Sequence, residues 1–139
     1  MQGGPCRFTQ IGLTSGKALR QIAYLPDAVL RAPSPANASA DNGVTEILML
    51  DAHRMLALER AYTAGLGPAL RNSLRVYLID LRQGSNTLEV PALTAVNYTT
   101  PSKILVADFA NYPALKQLDN TEGMAWGPVL DNGNRRLLL

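Results

Sequence analysis

Apolar and polar positions alternate along this chain in short runs, punctuated by Gly, Pro, Asn, Asp and Ser. Residues 44–50 and 54–60 form the clearest pair. Both are apolar and of strand length, and Asp51, Ala52 and His53 lie between them. That pattern predicts a β-hairpin. Residues 8–13 are a shorter run stopped by Thr14, Ser15 and Gly16, whereas periodicity over residues 17–24 fits either a strand or a pair of helical turns. In residues 74–81 the even positions (Leu74, Val76, Leu78) and the odd positions (Tyr77, Ile79, Leu81) are both apolar. Successive strand side chains face opposite sides, so this strand is expected to be buried on both faces, as in stacked sheets. Residues 103–109, 124–126 and 135–139 read as further strands, the last two joined through Asp131, Asn132 and Gly133. One short helix is expected over residues 112–118, with Asn111 as its N-cap and Pro113 in its first turn. Residues 31–43, polar and Pro-rich, and residues 61–73, with Gly and Pro, read as loops; residues 83–86 read as a turn. Short strands at intervals with such turns point to an all-β sandwich, barrel or propeller.

Composition narrows the function classes. The 139 residues are 47% hydrophobic and 17% charged, which is globular and fits one domain. A net charge of +2 is too weak to argue for nucleic acid or an anionic membrane surface. No apolar run is long enough for a membrane span. The N-terminus, Met1 to Arg7, shows no basic head followed by an apolar core, so no export signal is visible. A single cysteine, Cys6, excludes an internal disulfide and a multi-cysteine metal site.

Motifs for nucleophilic or phosphate chemistry are absent. There is no Gly-x-Ser-x-Gly elbow. A Ser-His-Asp triad would have to use His53, which lies in a turn, where histidine is usually just solvated. The run from Gly12 to Ala18 is one residue short between its glycines for a phosphate loop, and Ala18 stands where Ser or Thr is needed. The carboxylates carry more information. Glu46 interrupts an apolar strand, Glu59 and Arg60 end the next, Asp108 ends a third and Glu122 opens a fourth. Each buried carboxylate requires a cation, a metal or solvent. Carboxylates from several strand ends can gather on one rim, and a hard cation such as Ca²⁺ takes oxygen ligands from several segments. The plainer alternative has Glu59 paired with an arginine, Asp108 capping the following turn and Glu46 facing solvent.

Four segments also carry a family resemblance. They run from Asn42 through Gly43 to Leu48; from Arg54 to Tyr62 with Glu59-Arg60; from Lys103 to Asp108; and from Asp119 to Pro128 with Glu122-Gly123. In this order the chain resembles the phytase-like domain family, also described as "esterase-like activity of phytase". The resemblance implies a partial β-propeller-like fold of short antiparallel strands, in proteins that are usually bacterial and exported to the periplasm or beyond. The final run stops on Leu137, Leu138 and Leu139, whereas the family continues into further sheet, so an incomplete domain, inactive alone, is expected. Open blade edges would then invite self-association.

Three functions follow as expectations. In an ester or phosphoester hydrolase, Glu46 and Glu122 would be catalytic, and Glu46, Glu59, Asp108 and Glu122 would hold Ca²⁺. Arg60 and Lys103 would bind a small anionic or ester substrate, because such chemistry needs activated water and a cationic clamp. In a non-catalytic binding or scaffold propeller, the same charges would be internal ion pairs with no open polar pocket. A calcium-dependent lactonase-type propeller would share the acidic centre and differ in substrate.

Overall fold

The computed structural model describes residues 3–139; Met1 and Gln2, part of the segment read for an export signal, lie outside the described residues. The described residues form eight strands in three antiparallel sheets. The hairpin β1 (Cys6–Ile11) and β2 (Ala18–Tyr24) comes first. A four-stranded meander follows, in the order β3 (Ala40–Met49), β4 (Arg54–Thr63), β5 (Asn72–Asp80) and β6 (Ser102–Asp108). A second hairpin, β7 (Ala125–Val129) and β8 (Arg135–Leu138), closes the order. The all-β expectation is borne out, and residues 17–24 resolve as a strand.

The meander is the middle of three layers. Side chains on one of its faces (Met55, Ala57, Tyr77, Ile79) pack with Tyr24 and, at the margin, Cys6 and Phe8 of the first hairpin. Those on the other face (Leu56, Leu58, Val76) pack with Met124, Trp126 and Leu137 of the second hairpin and its approach. The period of two in β4 and β5 thus feeds two cores, and burying each large apolar side chain stabilises the fold by about 1.5–3 kcal/mol. The expected burial of both faces of β5 is met: Leu74, Val76, Tyr77 and Ile79 are all buried.

Several boundaries differ from the pattern in the sequence, among them residues 61–63 and 72–73, which join β4 and β5 instead of a loop. Residues 40–43, expected to belong to an exposed loop, extend β3 and pair with residues 60–63 of β4. Asn42 is buried there, because its side chain completes a polar network described below. The expected helix over residues 112–118 is not formed. Asp108 caps a 3-10 turn over Phe109–Asn111 by accepting from the Ala110 amide at 3.0 Å, and residues 112–115 form a further turn closed by Leu115 N–H to Tyr112 C=O at 2.9 Å. Tyr112 and Leu115 remain exposed, so no buried apolar face offsets the cost of nucleating so short a helix. Among the described residues one α-helix forms, α1 (Pro68–Arg71), a single turn inside the segment expected to be a loop, with Pro68 opening it.

Turns set the hairpins. Gly133 sits at φ 81° between β7 and β8, a conformation open to glycine at little cost. Gly65, at φ 77° after β4, faces Ser34 so closely that a Cβ would fall 1.5 Å from its carbonyl oxygen. Among the described residues no helix is long and apolar enough to cross a membrane.

Candidate functional site

Alternation along β4 places Glu59 and Arg60 on opposite faces of the meander. Each is the centre of a different charged group.

Glu59 points toward the first hairpin and is 2% exposed. Its Oε1 accepts from the Tyr24 hydroxyl at 2.5 Å and from Lys103 Nζ at 2.6 Å. Its Oε2 accepts from Asn42 Nδ2 at 2.8 Å and from the Asp27 amide at 3.1 Å. Lys103, brought in by β6, also donates to Asp27 Oδ1 at 2.6 Å and to the Leu25 carbonyl at 3.2 Å. Its ammonium lies 4.1 Å from the Tyr77 ring centre and 4.9 Å from that of Tyr24, within cation–π range. Tyr77 donates to Asp27 Oδ2. Arg75 lies 3.6 Å from that oxygen and donates through Nε to Asp108 Oδ2 at 2.8 Å.

The network decides protonation states. Burial acts to raise the Asp27 carboxyl, but hydrogen bonds from Lys103 and Tyr77 and the charges of Lys103 and Arg75 outweigh it and hold the carboxyl below its usual range. Burial, and then the hydrogen bond to Glu59, pushes the Tyr24 phenol far above its usual value; burial and Asp27 do the same for Tyr77. Burial likewise raises the Cys6 thiol. Two neutral phenols therefore donate to two carboxylates around one ammonium. A carboxylate held below its usual range is a weaker general base than an ordinary one. The cavity beside Glu59, lined by Asn42, Ala61, Ser73 and Arg75 among others, has a volume of only about 10 Å³.

On the opposite face the charges are sparser. The Arg60 guanidinium makes one hydrogen bond among the described residues, a long one of 3.4 Å from Nη2 to Glu122 Oε1. Its Nε is buried with no partner. Glu122 lies on the loop that leads into β7, with its side chain 57% exposed and the same Oε1 accepting from Asn120 Nδ2 at 2.6 Å. Glu46, at a bulge of β3 opposite Leu58, turns its carboxylate back onto the Ile47 amide at 2.8 Å.

The structure therefore brings Glu59 and Lys103 together, with Asp108 reaching them through Arg75 and Asp27. It pairs Arg60 with Glu122 on the other face. The sheet keeps these two groups apart, and Glu46 contacts neither. The Glu46, Glu59, Asp108 and Glu122 set does not fit a single Ca²⁺ shell in this arrangement, since both Glu59 oxygens are already spent on four donors and Asp108 on Arg75 and the Ala110 amide. Among the described residues no group of three or more His, Cys, Asp or Glu side chains is placed to hold a metal ion. His53 is exposed in the β3–β4 turn, its amide donating to Asp51 Oδ1 at 2.8 Å.

Tyr24, Asp27, Arg75 and Tyr77 escaped the sequence reading. Asp27 lies 32 residues from Glu59 and 76 from Lys103, outside any motif, so nothing local marks it. Asn42 stood inside a recognisable segment, but only the fold shows its amide on Glu59.

The residues of both groups lie within a stretch matched by a known sequence family. The sequence model of the Phytase-like family, described as esterase-like activity of phytase, matches residues 1–139. The chain belongs to this family. No curated protein and no solved structure matches the chain. In this phytase-like domain, the Glu59-Arg60 pair on β4 is thus divided between a closed buried network and a half-open arginine.

Proposed function

We propose that this phytase-like domain acts on ester or phosphoester bonds of an anionic substrate, and that the anionic part of the substrate is received at Arg60 with Glu122 beside it. The observation that carries this reading is the state of the Arg60 fork. It has five N–H donors and engages one of them, weakly, in a partly open position. Arg is well suited to oxyanions because its planar donors match two oxygens at once. Glu122 lies beside the fork with its carboxylate largely open to water.

The Lys103 centre supports a different role. Three carboxylates (Glu59, Asp27, Asp108) surround two cations (Lys103, Arg75), so its field does not favour an anion, and Glu59 has no free lone pair for a substrate. Its groups position strands.

The test is turnover of p-nitrophenyl phosphate and p-nitrophenyl acetate by the protein and by Arg60→Gln and Glu122→Gln. Hydrolysis that falls at least tenfold in Arg60→Gln, with the fold intact, is the expected result. Equal turnover in wild type and Arg60→Gln would remove Arg60 from the site. A second reading, a non-catalytic scaffold domain, is favoured by the saturated Glu59 network and the lack of space beside it. It predicts no turnover of either ester.

A further inference from the structure

The loop before β7 carries its own occupant of the arginine fork. We propose that Glu122 is an internal competitor for Arg60: its carboxylate holds the place that an incoming oxyanion takes, and the loop lifts to admit it. The inference rests on the reading of Arg60 as the anion-receiving group.

Three observations carry it. The pair is loose, at 3.4 Å, and monodentate, while the arginine Nε beside it is buried with no partner. A guanidinium in contact with a well-fitted carboxylate would use two parallel donors. The present partner therefore underfills the fork. Second, the loop is weakly tied. Asn72 Nδ2 holds the Leu118 carbonyl at 3.0 Å at one end, and buried Met124 anchors the other. Between them the described bonds from the loop to the sheet are the Arg60–Glu122 contact and a 3.5 Å contact from Thr45 Oγ1 to the Thr121 carbonyl. Third, Asn120 binds the same oxygen of Glu122 at 2.6 Å, inside the loop itself. The carboxylate therefore keeps a partner when it leaves Arg60, which lowers the cost of displacement. A tetrahedral or planar oxyanion with two oxygens free, as in a phosphate monoester or a carboxylate, then meets the Nε and Nη2 donors side on.

Inorganic phosphate is the probe. Its binding is read by calorimetry and by the arginine Nε–H signals in nitrogen-15 spectra, with thermal unfolding as the check that each variant folds. Glu122→Gln keeps the shape and removes the competing charge, so phosphate should bind roughly two- to fivefold tighter than to wild type, the range set by releasing an exposed ion pair. Arg60→Gln should abolish binding, and Arg60→Lys should weaken it. Unchanged or weaker binding in Glu122→Gln, with Arg60→Gln still abolishing it, overturns the competitor role and leaves the anion site standing. Binding indifferent to Arg60→Gln, or no binding in wild type and Glu122→Gln alike, overturns both.

Discussion

Replacing Glu59 by Gln tests whether the buried network holds the first hairpin to the meander. The change preserves volume and removes one charge. Glu59 now accepts four hydrogen bonds, two on each oxygen. A glutamine offers one oxygen and one NH2, so whichever end turns inward sets a donor against two donors. Tyr24 and Lys103, or Asn42 and the Asp27 amide, lose their acceptor. Removing one partner of a buried ion pair typically costs about 3–5 kcal/mol. Lys103 keeps Asp27 at 2.6 Å and is itself 19% exposed, which argues for the lower end, about 3 kcal/mol. At an unfolding entropy of about 2.1 cal/mol/K per residue over 139 residues, that corresponds to a fall in Tm of roughly 10 °C. Urea unfolding followed by tryptophan fluorescence and circular dichroism measures it, with Lys103→Met and the double variant completing a cycle. The double variant should be less destabilised than the sum of the two by at least ~1 kcal/mol, because each single change strands the other's partner. A Glu59→Gln protein within ~1 kcal/mol of wild type, or strictly additive variants, would refute the claim that this pair is coupled and buried.

Other expectations concern pH, turns and edges. The Asp27 carboxyl sits below its usual range, and Asp80, beside Arg82, is lowered to about 2. A folded value below the unfolded one gives stability that is complete above about pH 4 and is lost as pH falls through the folded value. Urea midpoints should therefore hold steady from neutral pH to about 4 and drop below it, with a shallower drop in Asp27→Asn; equal slopes in both proteins would count against the linkage. Gly133→Ala, at positive φ in open space, should cost ~1 kcal/mol, and Gly65→Ala clearly more because Ser34 blocks its Cβ; equal costs by chemical unfolding would deny the close approach. Strand β6 exposes Ile104, Leu105 and Val106 on an open edge, so sedimentation should show concentration-dependent association that Val106→Lys reduces, and a wild-type coefficient independent of concentration would contradict this.

Much of the scaffold was legible because it is local. The β3–β4 hairpin is written in two apolar runs around Asp51 and His53, and β5 announces its two buried faces by the absence of a polar side. Asp108 as the cap of the next turn is likewise readable from neighbouring residues. What escaped has a different physical character. The helix expected at residues 112–118 depended on Asn111 and Pro113 as signals, but tertiary burial decides short helices, and this segment has none. The plainer alternative paired Glu59 with an arginine; its partners are Lys103, 44 residues away, with Tyr24, Asn42 and the Asp27 amide, which no spacing rule connects to it. The parity of β4, which sends Glu59 and Arg60 to opposite sides, separates the carboxylates that each of them meets.

That parity has a consequence for how the strand finds its partners. Adjacent residues of opposite charge, one for each face, make β4 intolerant of a frame error. Were it to pair one position out of step, every side chain would change sides. The carboxylate would then lose Lys103 and face the apolar Met124 and Trp126, while the guanidinium would be driven toward Lys103. Both errors are electrostatic, and both arise from the same single shift, so the misaligned pairing is penalised twice. The Glu59-Arg60 dipeptide thus proofreads the alignment of the central sheet before any substrate is involved.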